Sequence, residues 1–374
     1  MTQQMESVTT ENGVLVRQRG PAQSETVVPA GRTGPDRRTD PSVLMDLTSG
    51  VYAFKALALA VDLELFTDLA DGAGVTAEEF AARHGVNYRP AELLLVACTS
   101  LGLLMRDDAG VYRNTEVSET HLVEGRPYYF GGWVRVVDRH EYGAYQSLER
   151  SFRGNHPTTW DVEKQESLFD PSDPVMMDAF WDGMYSLSAY SANQLSSRID
   201  LSDATALLDV GGGGAAFPIE LCKAFPHLRA SVFDLEFVGP LTVARVEAAG
   251  LGDRISFLAG DFFDDALPRG YDVIILSNIL HDWNPDDVQK ILATCSAALP
   301  TGGRLLISEQ FVNDEKTGPA QAALMSLNML VETWGRNYTA AEYSGWASSY
   351  GLHSEGVIPV PGFGSNGALV LRKR

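Results

Sequence analysis

Four consecutive glycines, Gly211-Gly212-Gly213-Gly214, follow the apolar run Leu207-Leu208-Asp209-Val210 and lead into a helical pattern from Pro218. A strand that passes into a helix through bare backbone belongs to a doubly wound α/β sheet, in which a ligand lies against the main chain at the strand's carboxyl end. The alternation continues after Asp200. Strands are predicted at 206–210, 230–235, 255–260, 271–276 and 304–308, with a closing pair near 356–360 and 368–371. Helical patterns at 218–225, 240–249, 285–299 and 340–350 fill the gaps, and Pro218, Pro240 and Pro285 sit where a first helical turn tolerates a missing N–H.

The glycine run alone fits two ligand classes. Gly211, Gly213 and Ala216 satisfy the spacing of a dinucleotide fingerprint, so an NAD-dependent oxidoreductase is one reading. The acids at the strand ends favour S-adenosylmethionine (SAM). Asp209 lies in the glycine strand, Asp234 closes the second strand where both ribose hydroxyls can be held, and Gly260-Asp261-Phe262 follows the third. An acid there can take the adenine amino group while Phe262 packs on the ring. A dinucleotide gives that last pair no role.

The first 200 residues are organised differently. Residues 1–40, rich in Thr, Gln, Gly, Pro and Arg, have no sustained apolar period and are expected to be a disordered tail. From 41 to 125 the chain gives helices apolar on more than one side (Leu44 to Leu69), a capping box at Thr76–Glu79, a second helix from Pro90 to Leu101, and a hairpin about Asp107–Gly110. Helix, helix and hairpin in that order make a winged helix, which raises DNA binding as a rival function. The stretch from Pro90 to Cys98 opposes it, offering one acid and no Lys or Arg to phosphates or bases. Residues 126–200 are read as linker and pocket helices carrying a dense aromatic and Met set.

A formal charge of −20 disfavours nucleic acid as a partner. No apolar run approaches the roughly 20 residues of a spanning helix and no signal peptide opens the chain, so no membrane association and a cytoplasmic location are expected. Cys98, Cys222 and Cys295 are widely separated in helix-like patterns and read as buried thiols; no metal-ligand spacing is found.

Residues Asp209–Gly214, Phe233-Asp234-Leu235, Gly260-Asp261-Phe262 and Leu280-His281-Asp282-Trp283 together resemble the small-molecule O-methyltransferases related to plant caffeic-acid methyltransferases and to those of actinomycete polyketide tailoring. The resemblance spans about 41–374. It implies a Rossmann-like, seven-stranded class I methyltransferase domain at 201–374, preceded by a mostly helical winged-helix domain that pairs two subunits. It further implies SAM as cofactor, contacted by Asp209, Gly211, Gly213, Asp234, Leu235, Asp261, Phe262 and Ser277. His281 matches the family's general base, and Glu309 and Glu332 match the acids that flank and orient it. Two positions depart from the family: Ala215 stands where the loop usually ends in Gly, and Ser277 where plant members often carry Lys.

Methyl transfer needs the acceptor's proton removed. Moving it from a phenol of pKa about 10 to a His of about 6.5 is uphill by roughly 5 kcal/mol, and good alignment is worth roughly 7–11 kcal/mol. Asp282, next in sequence, is expected to point away from His281; Glu309 at the fifth strand's end is the better partner. The expected acceptor is a flat aromatic molecule bearing a hydroxyl, held by Trp133, Met177, Phe180, Met184, Asn278, Asp282, Met325 and Met329. Arg135, Arg139 and His140 are candidates for pairing with an acceptor carboxylate. Methylation of a ring carbon ortho to a hydroxyl is the alternative, since the same base would make the phenolate.

Overall fold

Alternate residues along the central strands go to opposite faces, and both faces are apolar, as a sheet covered by helices on each side requires. Leu207, Val273 and Ile275 pack into one core, while Leu208, Val210, Ile274 and Leu276 pack into the other. The structure is a computed structural model that describes residues 41–161, 174–362 and 364–374, without the side chains of 174–179. The predicted tail at 1–40 and the side chain of Met177 lie outside the described residues.

Close packing divides the chain at Thr48. Residues 41–48 supply the first turns of α1 (Ser42–Asp62), and Ser49–Arg374 forms one unit. Helices α2 (Ala77–His84) and α3 (Tyr88–Ser100) precede the hairpin β1 (Leu104–Arg106) and β2 (Tyr112–Asn114). Thr76 opens α2 through the expected capping box, its hydroxyl accepting from the Glu79 N–H and the Glu79 carboxylate accepting from the Thr76 N–H. Past the single exposed cation of its first turn, Arg89, the exposed face of α3 offers Leu93 and Val96.

By length and composition alone α1 is apolar enough to cross a membrane, its Val, Leu, Met, Phe and Ala residues keeping the mean hydropathy high although they form no long unbroken run. Leu44, Leu47, Val51, Tyr52 and Leu59 are exposed along it. On an isolated chain, a subunit interface leaves the same kind of face uncovered.

Helix α4 (Gly131–Val136) continues into a π turn at Val137–Glu141, and α5 (Pro174–Ser196) leads to the sheet. The sheet elements follow as β3 (Ala206–Val210), α6 (Ala216–Ala224), β4 (Arg229–Asp234), α7 (Gly239–Ala248), β5 (Ile255–Ala259), β6 (Val273–Ser277), α8 (Pro285–Ala298), β7 (Arg304–Glu309), α9 (Ala320–Glu332), α10 (Ala340–Ser348), β8 (Leu352–Pro359) and β9 (Gly367–Lys373). Their order is β5-β4-β3-β6-β7-β9-β8, parallel except for β9, which runs antiparallel to both neighbours. Strand order reverses at β3, so a crevice opens at the carboxyl ends of β3 and its neighbours. Helix α9 is absent from the predicted elements, yet it carries Met325, Met329 and Glu332.

Helix α8 starts where the chain leaves the site. Asn284 caps it, its side-chain oxygen accepting from the N–H groups of Asp286 and Asp287 at 3.0 and 3.1 Å. Replacing Asn284 by Ala is expected to cost about 1 kcal/mol, seen as a lower thermal midpoint that Asn284→Ser restores.

Candidate active site

A cavity of about 370 Å³ occupies the crevice. Its floor is the glycine loop. Gly211 and Gly213 have φ of +69° and +51°, a region side chains other than glycine rarely adopt. The Gly211 N–H donates to the Phe233 carbonyl at 2.8 Å, and a Cβ on Gly213 would come within 2.9 Å of the Trp181 ring. Ala215, where the family pattern has Gly, is left-handed at φ +63° and fully buried. Arg245 of α7 lies over the Tyr185 ring at 3.9 Å and pairs with Asp182 at 2.5 Å, tying α5 across the loop.

Asp234 stands at the cavity wall beside this loop. Its two oxygens accept from the N–H groups of Gly213 (2.8 Å) and Leu235 (2.7 Å). Burial pushes its carboxyl up to about 6, against the opposing pull of those two N–H groups. Leu235, Asp261, Phe262 and Ser277 also line the cavity. Phe262 meets Trp283 edge-on at 6.1 Å between ring centres.

Asp209 does not reach the cavity. It alternates with Leu208 and Val210 along β3, points beneath the loop against Gly212, and neither oxygen has a hydrogen-bond partner. Burial, then the nearby Asp234, raises its carboxyl well above the ordinary range. Its expected direct contact with a cofactor is therefore corrected to a place under the loop.

His281 is set by the turn after β6. Glu309, at the end of β7, accepts from the His281 Nδ1 at 2.6 Å through one oxygen, and from the Ile279 and Leu280 N–H groups at 3.1 and 3.0 Å through the other. Nδ1–H donates to the carboxylate, so Nε2 is the basic nitrogen. Asp282 does not point away as expected. The 3₁₀ turn Leu280–Asp282 folds its Oδ1 to 3.5 Å from His281 Nε2. Burial opposes charge on the imidazole, but Glu309 and then Asp282 outweigh it and raise the ring to about 9. Gly335 allows the turn its position, because a Cβ there would run into the His281 carbonyl.

Glu332 also lines the cavity, but its hydrogen bond goes to Glu141 of the π turn and not to His281. The expected orienting contact is corrected accordingly: no hydrogen bond or ion pair joins Glu332 to His281, because its carboxyl is turned to Glu141 instead. Among the acceptor candidates, Trp133, Phe180, Met184, Asn278, Asp282, Met325 and Met329 line the cavity. Asn278 is left-handed at φ +53° and donates to the Ser188 hydroxyl at 3.3 Å. Arg135 and Arg139 pair instead with Asp62, and neither they nor His140 line the cavity. Sequence reading missed Gln310 and Asn337 as lining residues, and no local pattern marks either of them.

Residues 152–353 match the O-methyltransferase domain and residues 45–124 the O-methyltransferase dimerisation domain. The chain belongs to this O-methyltransferase family. It is 43% identical to the 3-hydroxy-5-methyl-1-naphthoate 3-O-methyltransferase of Streptomyces sahachiroi, over 91% of this chain and 97% of that protein. It is 32% identical to the tetracenomycin polyketide synthesis 8-O-methyltransferase of Streptomyces glaucescens, over 83% and 91%. Human N-acetylserotonin methyltransferase, solved in complex with SAM, superposes with a TM-score of 0.81 at 26% identity, covering 91% of this chain and 99% of that one. The protein is a SAM-dependent methyltransferase. The bare glycine backbone and the part-satisfied Asp234 carboxylate beside it fit such a cofactor.

Glu309→Gln removes the carboxylate that raises His281. The proton affinity of the ring then falls, so the acid limb of kcat/KM, set by loss of the His281 proton, is expected to move down by about one pH unit or more. The kcat should fall by about tenfold or more as the ring loses its orientation, with SAM affinity unchanged by calorimetry.

Proposed function

We propose that the chain methylates a phenolic hydroxyl of a fused-ring aromatic small molecule of secondary metabolism, with His281 as the base. The observation that carries this reading is the 2.6 Å His281–Glu309 contact at the wall of a cavity whose floor is the glycine loop. When bound, SAM supplies an electrophilic methyl on a sulfonium. Gly211, Gly213, Asp234, Leu235, Asp261, Phe262 and Ser277 would hold it. His281 Nε2 would take the phenol proton while the methyl carbon exchanges its bond to the sulfonium for one to the phenol oxygen, leaving a neutral thioether. Glu309 keeps the ring in the right tautomer and stabilises the imidazolium. Beside a cationic donor the ring gives up its resting proton more readily than in the empty site, which brings its free base into the neutral range.

Trp133, Phe180, Met184, Met325 and Met329 would clamp the aromatic ring system, with Met177 a further candidate on α5. Asn278 and Asp282 provide polar edges for its hydroxyl. In this reading residues 41–125 join two copies into a homodimer, 126–200 wall the pocket, and 201–374 hold the cofactor. The exposed apolar residues of α1 and α3 support the first assignment. A cytoplasmic location accords with the intracellular supply of SAM.

Incubation with methyl-labelled SAM and 3-hydroxy-1-naphthoic acid, followed by NMR of the product, tests the reaction. An aryl-ether methyl carbon is expected; an aryl-methyl carbon would replace this reading with ring C-methylation. His281→Ala should lose about 100-fold or more in kcat while SAM binds normally.

A further inference from the structure

Glu141 and Glu332 are both buried, come from the π turn and the end of α9, and lie in hydrogen-bond contact. Only one of them, Glu332, lines the cavity. Asn328, one turn before Glu332, donates its Nδ2 to Glu141 Oε1 at 3.1 Å. The π turn inserts one residue relative to an α-helix, and such an insertion re-aims the side chains that follow it. Here it brings the Glu141 carboxyl behind the part of the wall that Glu332 lines. Two carboxyls in contact cannot both ionise; they bind one proton between them. Asn328 biases its place: its amide N–H can only donate, and although it also acts on Glu332, the hydrogen bond it makes is to Glu141, which favours the charge there and leaves the proton on Glu332.

We propose that Glu141 is a positioning residue that accepts the Glu332 proton, so that Glu332 meets the methyl acceptor as a neutral acid whose carbonyl oxygen receives a hydroxyl or N–H of that acceptor. The carboxylates acting on His281 are then Glu309 and Asp282 alone. The groups facing the pair are Asp282 from the 3₁₀ turn, Tyr145 from the helical turn after the π turn, and Asn328 from α9. Burial raises both acids, Glu141 to about 7 and Glu332 well above the carboxylate range, in the sense this sharing requires. The acceptor's class rests on the phenol reading above, whereas the proton's position does not.

Isotope-edited infrared spectroscopy of the full chain, with glutamate carboxyls labelled by carbon-13 and SAM bound, reads the proton directly. Labelling glutamate alone excludes Asp209, Asp234 and Asp282. At pH 8 one protonated glutamate band is expected. Glu332→Gln should abolish it, and Glu141→Gln should keep it but shift it to the position of a more weakly bonded acid. Lowering the pH through about 7 should add a second band, as Glu141 takes its own proton. A spectrum without a protonated glutamate at pH 8, or one whose band survives Glu332→Gln and disappears with Glu141→Gln, overturns the assignment. These spectra need no acceptor, so their failure leaves transfer to phenols standing. Failure to methylate any phenol would leave the proton assignment intact.

Discussion

The carboxylate of Glu309 fixes the geometry around His281. One oxygen accepts two backbone N–H groups from the turn after β6, and the other accepts the His281 ring. A buried carboxylate is costly unless its lone pairs are filled, and here three donors fill them. The same contacts give the turn its shape, aim Nε2 into the cavity and select the tautomer that is basic at Nε2. Gly335 and the Tyr338 hydroxyl, which donates to the Trp283 carbonyl at 2.7 Å, hold the turn from the other side.

The cofactor half of the site works by a different principle. Its floor is backbone, kept bare by positive φ at Gly211 and Gly213 and by the crowding of Trp181 above. Asp234 contributes a carboxylate already anchored by two N–H groups, so its geometry is set before any ligand arrives. Asp209 lies one layer deeper, without a hydrogen-bond partner, where burial and then Asp234 raise its carboxyl well above the ordinary range. The acceptor half is instead built largely from side chains on three helices, of which α4 packs on α5, α5 also packs on α6, and α9 packs on the turn that carries His281.

The sheet was legible because its signals are local. Apolar runs of strand length, glycine at the first turn and proline in the first helical turn need no distant partner to be read, and all seven predicted strands occur, with boundaries differing by a few residues. His281, the proposed base, was legible for the same reason, in the short turn after a strand end. Helix α9 was not, because its apolar residues serve a cavity as well as a core and so give no clean stripe. Asp282 was misjudged because adjacency in sequence separates side chains in a strand but not in the 3₁₀ turn that forms there.

The sequence alone determined the doubly wound sheet and the acids at its strand ends, and it singled out His281 and Glu309, whose contact the fold then made. The tertiary structure decided what depends on distances between remote segments. It turned Asp209 under the loop, drew Arg135 and Arg139 to Asp62, brought Asn337 and Gln310 to the cavity, and set Glu332 against Glu141 across a gap of nearly two hundred residues. Whether a buried acid is a charge or a neutral donor depends on what lies within a hydrogen bond of it. Only the folded chain supplies that neighbour.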